Sequence, residues 1–391
     1  MGLIVAGFFL LLGEGIGHLV FRVTQGRALW NAAGESSSSL FCPYTLHEYR
    51  PNSVARLPRY PEDLKTDRYG FIHNGSDRAI TREEYVIFLL GGSTVEGRGA
   101  SGNEQTIAAQ LEQLINSAGG QAGKKVRVIN AGRRGFFSYQ EFCLLYGKLL
   151  PNFPIDMVIA LDGRNDAYYA GAFGGSRWKP NWSPEYDAVA ALVNDAQERC
   201  GYVGAAEVVD WLGRYSITVH LLHKAAPQKA NRELEERFES KGRVSDEILQ
   251  KACAYYVNTH ILMRQLGVMN GFEYEAFLQP VLLPEKKAKF SANEEKMLER
   301  FLSKGGSDRE VYFDAIGRYY SATEKRIAGN EWFHDLSGIF ANVSDNAYTD
   351  SCHYCDEGNR QIALAIQKTL NARGKTKTAA PIPAEQAASQ K

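Results

Sequence analysis

The sequence has no charge imbalance: Lys+Arg and Asp+Glu both number 45, so no strong field draws in nucleic acid or an acidic membrane surface. It has no internal repeat of fixed period. It has no P-loop, because Gly92 to Gly97 is followed by Arg98-Gly99 and the lysine and hydroxyl that grip nucleoside phosphates are absent. A GxSxG nucleophile elbow is also missing, since Val95 stands where its last glycine belongs, and the spacing of a dinucleotide fingerprint is not met. No second CxxC accompanies Cys352-His353-Tyr354-Cys355, so a closed four-ligand zinc site lacks its other half. The 6 cysteines permit disulfides in an exported chain, but 391 residues bury enough core to need no staples.

No Lys or Arg precedes the apolar start, Met1 to Gly13, which continues through Glu14 and His18 to Phe21. Thirteen apolar residues suit the core of an export signal and twenty-one would just cross a bilayer. Residues 1–30 are therefore expected to be a signal peptide or single membrane anchor, with a buried core helix as the other reading. A signal or anchor places the protein in the cell envelope, on the exported side. Residues 31–83 read as a linker and N-terminal extension. Residues 373–391 are rich in Lys, Thr, Ala, Pro and Gln without apolar periodicity, and read as a disordered tail.

Between these flanks, strands and helices alternate. Glu84–Leu90 is an apolar run that stops at Gly91-Gly92, as a buried parallel strand does. Gln105–Ile115 has apolar residues at helical spacing. Val126–Ile129 predicts a second strand, Tyr139–Leu150 a helix, and Met157–Leu161 a third strand. Phe277–Leu283 and Trp332–Leu336 supply two more strands, and Asp356–Leu370 a closing helix. Strand, turn and helix repeated in this way predict an α/β fold with a doubly wound parallel sheet over residues 84–372. Residues 173–274 are too long for one crossover and predict a helical insertion.

Four islands hold the residues of one chemistry. Gly91-Gly92-Ser93-Thr94, Asn130 to Gly135 and Gly163-Arg164-Asn165-Asp166 each follow a predicted strand, where doubly wound sheets bind ligands. Ser93 offers a hydroxyl, and at a helix start its N–H aims at the same place. Gly135 offers an N–H with no Cβ in the way, and the Asn165 carboxamide donates without adding charge. Asp350-Ser351-Cys352-His353 carries an acid three residues before an imidazole, so that in a helical turn both face one side. Ser93 as nucleophile, His353 as base and Asp350 as orienter form the set needed for acyl transfer through a covalent ester. Singly, Ser93 also reads as a helix cap, the glycines as tight turns and His353 as an ordinary core or surface histidine.

Together the blocks resemble the SGNH hydrolases, the superfamily that includes the GDSL esterases, with Gly-Gly-Ser93-Thr in place of GDSL. The resemblance spans residues 84 to 370 outside the insertion. It implies a flavodoxin-like three-layer α/β/α sandwich with five parallel strands. It implies catalytic Ser93, His353 and Asp350, an oxyanion hole from the Ser93 and Gly135 N–H groups and the Asn165 side chain, and no metal or organic cofactor. The apolar start and Leu278-Gln279-Pro280 look similar to membrane-associated bacterial members, some of which modify surface polysaccharide. The expected activity is hydrolysis of short-chain acyl esters, O-acetyl among them, on a small molecule or an acylated glycan. An O-acyltransferase acting on a cell-surface glycan uses the same four blocks, and a catalytically silent glycan-binding protein is the third reading.

Overall fold

The structure is a computed structural model that describes residues 2–25, 39–55, 63–75, 77–173, 186, 216, 243–303 and 306–377. Residues 1–38 with 182–239 make one compact unit, and residues 39–181 with 240–391 make another. Of the first unit, helix Gly2–Gln25 is described. Among the described residues no helix is long and apolar enough to cross a membrane.

The second unit opens with two hairpins. The first pairs β1 (Ser39–Cys42) with β2 (Leu46–Tyr49), and the second pairs β3 (Val54–Ala55) with β4 (Leu64–Lys65). The main sheet follows, built from β5 (Tyr85–Gly91), β6 (Val126–Asn130), β7 (Met157–Asp162), β8 (Glu273–Leu278) and β9 (Phe333–Asp335). Its order is β6-β5-β7-β8-β9, and every pairing is parallel. This is the 2-1-3-4-5 order of a flavodoxin-like doubly wound sheet. The fold is the α/β sandwich with five parallel strands that the alternating pattern and the resemblance lead one to expect.

Every residue of β5, β6 and β7 is buried, which is why β5 and most of β7 read as apolar runs rather than as alternations, whereas β6 also buries Arg127 and Asn130. Alternate residues nonetheless serve two cores. Val86, Phe88 and Leu90 join Val158 and Ala160 on one face, packed with Tyr256, Met263 and Tyr319 from helices Asp246–Asn270 and Gly306–Ile327. Ile87 and Leu89 join Met157, Ile159 and Leu161 on the other, packed with Leu111 and Ile366 from helices Ile107–Ser117 and Asp356–Lys377. Each Val, Leu, Ile, Phe or Met among them contributes about 1.5–3 kcal/mol when fully buried, so the sheet is a rigid base for the loops at its C-terminal edge.

Three expectations need correcting. The fourth strand is Glu273–Leu278, not Phe277–Leu283. Its Glu275 is completely buried, bonded to His334 Nε2 at 2.8 Å and paired with Arg373, so the strand does not read as apolar. The apolar Val281-Leu282-Leu283 lies just beyond it, between two prolines. The last helix runs to Lys377, past the expected start of the tail, whose residues 378–391 lie outside the described ones. The chain also forms helices Ala292–Ser303 and Gly306–Ile327 between β8 and β9, a segment to which the periodicity assigned nothing. Within the expected insertion at 173–274, helix Asp246–Asn270 is described; residues 174–242, apart from 186 and 216, lie outside the described residues.

Candidate active site

β5 ends at Gly91, and Gly92 turns the chain into the single helical turn Ser93–Glu96. Ser93 is thus the first residue past the strand, half-buried at the C-terminal edge of the sheet. Its Oγ lies 2.7 Å from His353 Nε2. On the other side of the ring, His353 Nδ1 lies 2.6 Å from Asp350 Oδ2. With the Nδ1 proton donated to that carboxylate, Nε2 is left to accept from the serine hydroxyl. The structure brings the three residues, 260 positions apart at the extremes, into one relay.

The Asp350–His353 pair is not presented by a helical turn, as its spacing suggested. The segment is a loop, and the same carboxylate closes it: Asp350 Oδ1 accepts from the N–H groups of Cys352 (2.9 Å) and His353 (3.0 Å). The carboxylate therefore folds the loop with one oxygen and holds the imidazole with the other. Outer contacts fix the loop to the sheet. Leu282 N–H donates to Ser351 O at 2.9 Å, and Tyr354 Oη donates to Pro280 O at 2.6 Å.

The electrostatics follow from this enclosure. Burial disfavours the charged carboxylate of Asp350, but the hydrogen bond and charge of His353 outweigh it and hold the carboxyl well below the usual range. For His353, which is 6% exposed, burial opposes charging the ring. The Cys352 sulfur beside it and the Asp350 carboxylate prevail and raise its pKa above the ordinary value.

Gly135 and Asn165 converge on the same spot. Arg133 O accepts from Phe136 N–H at 3.1 Å, closing a turn whose third residue, Gly135, has φ +79°. That left-handed position needs glycine. Asn165 Nδ2 donates to Phe136 O at 2.6 Å, and it sits so close to Gly92 that a Cβ there would lie 2.5 Å from it. The amide thus touches the residue after Gly135 and the residue before Ser93. Among the described residues, the backbone N–H groups of Ser93 and Gly135 donate to no backbone carbonyl, so both remain available to a ligand. A helix of one turn has little dipole, and the contribution at Ser93 is that of a local N–H.

Several supporting residues were not singled out from the sequence. Asp166 accepts from Ser138 N–H (3.1 Å) and Oγ–H (2.6 Å), which locks the Asn165 turn to the Gly135 loop. Burial and the charge of Asp162 push the Asp166 carboxyl up to about 7, against the pull of the Ser138 bonds. Beneath it, Asp162 Oδ1 accepts from Tyr256 Oη at 2.6 Å and lies 3.3 Å from His260 Nε2. The fully buried Glu141 is held well above the carboxylate range by burial and by Asp162. Under the Ser93 turn, Tyr49 Oη donates to the buried Glu96. Arg133, also buried, donates to Gly132 O and Gly70 O, with its guanidinium over the rings of Tyr49 and Phe71 at 5.1 and 5.4 Å. No periodicity announces these buried ionisable groups; the partners named for Asp166, Asp162, Glu96 and Arg133 account for their burial in part, while neither carboxyl oxygen of Glu141 has a hydrogen-bond partner among the described residues. The N-terminal extension thereby forms part of the floor.

No family model matches the chain, and no curated protein matches it. Among solved structures, it is similar to the acetyl xylan esterase AlAXEase at 12% identity, over 73% of this chain and 99% of that one, with a TM-score of 0.39. A carbohydrate acetylesterase family member from Sinorhizobium meliloti has 13% identity over 75% and 98%, with a TM-score of 0.35. A GDSL-like lipase from Parabacteroides merdae gives the same figures, 13%, 75%, 98% and 0.35. With TM-scores below 0.5, these likenesses carry no weight beside the strand order and the site, which are the chain's own. The strand order is the one that the motifs' resemblance to the SGNH hydrolases implies.

Proposed function

We propose that the protein is a serine esterase that cleaves short-chain acyl esters, O-acetyl groups included, from a small molecule or an acylated glycan. The observation that carries this reading is the relay of Ser93 Oγ, His353 Nε2 and Asp350 Oδ2 through contacts of 2.7 and 2.6 Å. As Ser93 Oγ attacks the ester carbonyl, His353 Nε2 takes its proton and Asp350 stabilises the imidazolium. The carbonyl oxygen becomes an oxyanion, which accepts from the Ser93 and Gly135 N–H groups and from the Asn165 amide. Collapse expels the alcohol, protonated by His353, and leaves Ser93 acylated. Water, deprotonated by the same nitrogen, then releases the acid and restores the hydroxyl.

Placement in the cell envelope belongs to the same proposal. The helix Gly2–Gln25 supports it, with Leu12, Ile16, Leu19, Val20 and Val23 all exposed; recovery of the full chain in the soluble fraction of lysed cells would contradict it.

The direct test is p-nitrophenyl acetate hydrolysis by the purified chain and by Ser93→Ala. The variant is expected to lose turnover while its circular dichroism stays unchanged. Undiminished hydrolysis by Ser93→Ala would remove the assignment.

A further inference from the structure

The relay leaves one neighbour unused, the thiol of Cys352. Its Sγ lies 3.7 Å from His353 Nδ1 and 4.0 Å from Nε2, and the side chain is 8% exposed. The ligand atoms of Asp350, Cys352 and His353 all lie within 4.8 Å of one another. This is not the Cys352/Cys355 pair that the sequence brings to mind, because Cys355 Sγ donates to Asn346 O at 3.0 Å. Cys352 also takes no part in the bond-making steps of acyl transfer derived above. A carboxylate, a thiol and an imidazole thus stand close enough for one ion to reach all three after side-chain shifts.

We propose that Asp350, Cys352 and His353 form an inhibitory binding site for a thiophilic divalent cation, of which zinc is the type. Zinc takes sulfur at about 2.3 Å and imidazole nitrogen at about 2.0–2.1 Å in tetrahedral geometry. Those bond lengths put the two ligand atoms about 3.5 Å apart; Sγ, 3.7 Å from Nδ1 but also 4.0 Å from Nε2, lies to the side of the Nδ1 lone pair and swings toward it on binding. A carboxylate oxygen on the same ion stands about 3.3 Å from that nitrogen, against 2.6 Å in the hydrogen bond. The Asp350 carboxyl must therefore recede, and its side chain is 42% exposed, which leaves room to do so. Water fills the fourth position.

Binding is incompatible with catalysis for a reason of tautomers, which rests on the reading of His353 as the base. The cation takes the Nδ1 lone pair, so the proton of the neutral ring moves to Nε2. The Cys352 thiol loses its proton to solvent, a ring that is protonated beforehand also releases its Nδ1 proton, and no bond is oxidised or reduced. Nε2, now carrying hydrogen, cannot accept from Ser93. The thiol thus makes the triad a metal-sensitive switch, and the ring that must be neutral to act as base is also the ring that a cation captures.

The test is zinc titration of the purified full-length protein, read by competition with a chromophoric chelator and, in parallel, by ester hydrolysis. One zinc should bind per chain, and turnover should fall in step with occupancy. Cys352→Ser and Cys352→Ala should each weaken binding by about a hundredfold or more, at least the top of the range of about 10–100-fold seen when only an outer partner of a ligand is lost. Their inhibition, measured against each variant's own metal-free rate, should shift by the same factor, whereas Cys355→Ser should behave as the unaltered chain. Cobalt in place of zinc should give a thiolate-to-metal charge-transfer band that the Cys352 variants lack. Equal zinc affinity in the Cys352 variants and the unaltered chain would overturn the proposal even if esters are hydrolysed. Zinc bound through Cys352 by a chain that hydrolyses no ester would uphold the site and overturn the catalytic reading instead.

Discussion

A single methyl group at position 92 should disable the site without unfolding the protein. Gly92 has φ −80°, which alanine tolerates, but its Cβ would lie 2.5 Å from Asn165 Nδ2 and 3.2 Å from Phe136 O. Non-bonded heavy atoms sit at about 3.5 Å or beyond, so the amide must retreat by about 1 Å, while the Phe136 carbonyl gives by a few tenths. The amide is the far end of a side chain held by one hydrogen bond, to Phe136 O, so the fold bears little of the strain and the melting temperature should change little. Catalysis bears it, because a displacement of about 1 Å at a positioning group costs roughly 10²-fold in rate. That corresponds to about 2.7 kcal/mol of transition-state stabilisation. Asn165→Ala should cost about 2.7–4 kcal/mol, or roughly 10²–10³-fold, chiefly in kcat. The decisive assay is the double-mutant cycle in p-nitrophenyl acetate hydrolysis. If Gly92→Ala acts by displacing the amide, then adding it to Asn165→Ala should lower kcat by no more than about threefold. Multiplicative losses, an unaffected Gly92→Ala, or a loss confined to KM would refute the reasoning.

Three further outcomes follow from the charges around the site. With a chelator present, kcat/KM should rise with pH through a His353 pKa above the ordinary imidazole value of about 6.5, because the base must be neutral and its neighbours favour the cation. Cys352→Ala should move that limb to lower pH, and an identical profile would contradict the influence assigned to the sulfur. Glu141 and Asp166 keep protons in the folded state at pH values where the unfolded chain has released them, so their contribution to stability falls as pH rises above about 4.5, the Asp166 part levelling off near pH 7. The melting temperature of Glu141→Gln relative to the unaltered chain should therefore be higher at pH 8 than at pH 5, and the opposite trend would show that Glu141 is ionised. Asp166→Ala, which frees Ser138 from the Asn165 turn, should depress kcat more than it raises KM; a change in KM alone would place Asp166 in substrate binding.

What was legible in the sequence was whatever shows as pattern. β5, β6 and β7 are buried on both faces, so their composition announces them, and the glycines after β5 and β7 mark where they stop. Ser93, Gly135 and Asn165 could be placed because each closely follows such a strand. β8 was misplaced because Glu275 is buried with His334 and Arg373 as partners, and those partners come from distant segments. The Asp350–His353 spacing was right about proximity and wrong about cause, since a carboxylate-closed loop brings three-apart residues together as well as a helix does. Least visible were the contacts beneath the loops. Glu96 with Tyr49, Asp166 with Ser138 and Gln279 with Tyr354 join segments from 28 to 75 residues apart, and each is an ordinary polar residue until the fold supplies its partner. The two helices between β8 and β9 were missed although Ser291 and Glu294, three apart, form a capping box at the start of the first.

The central claim is that Ser93 is made nucleophilic by His353, and covalent trapping examines it most directly. The chain would be incubated with a fluorophosphonate, digested, and read by mass spectrometry alongside Ser93→Ala and His353→Ala. The account predicts one phosphonyl adduct, on the peptide that contains Ser93, absent from Ser93→Ala and formed orders of magnitude more slowly by His353→Ala. An adduct on another residue, or labelling indifferent to His353, would contradict it.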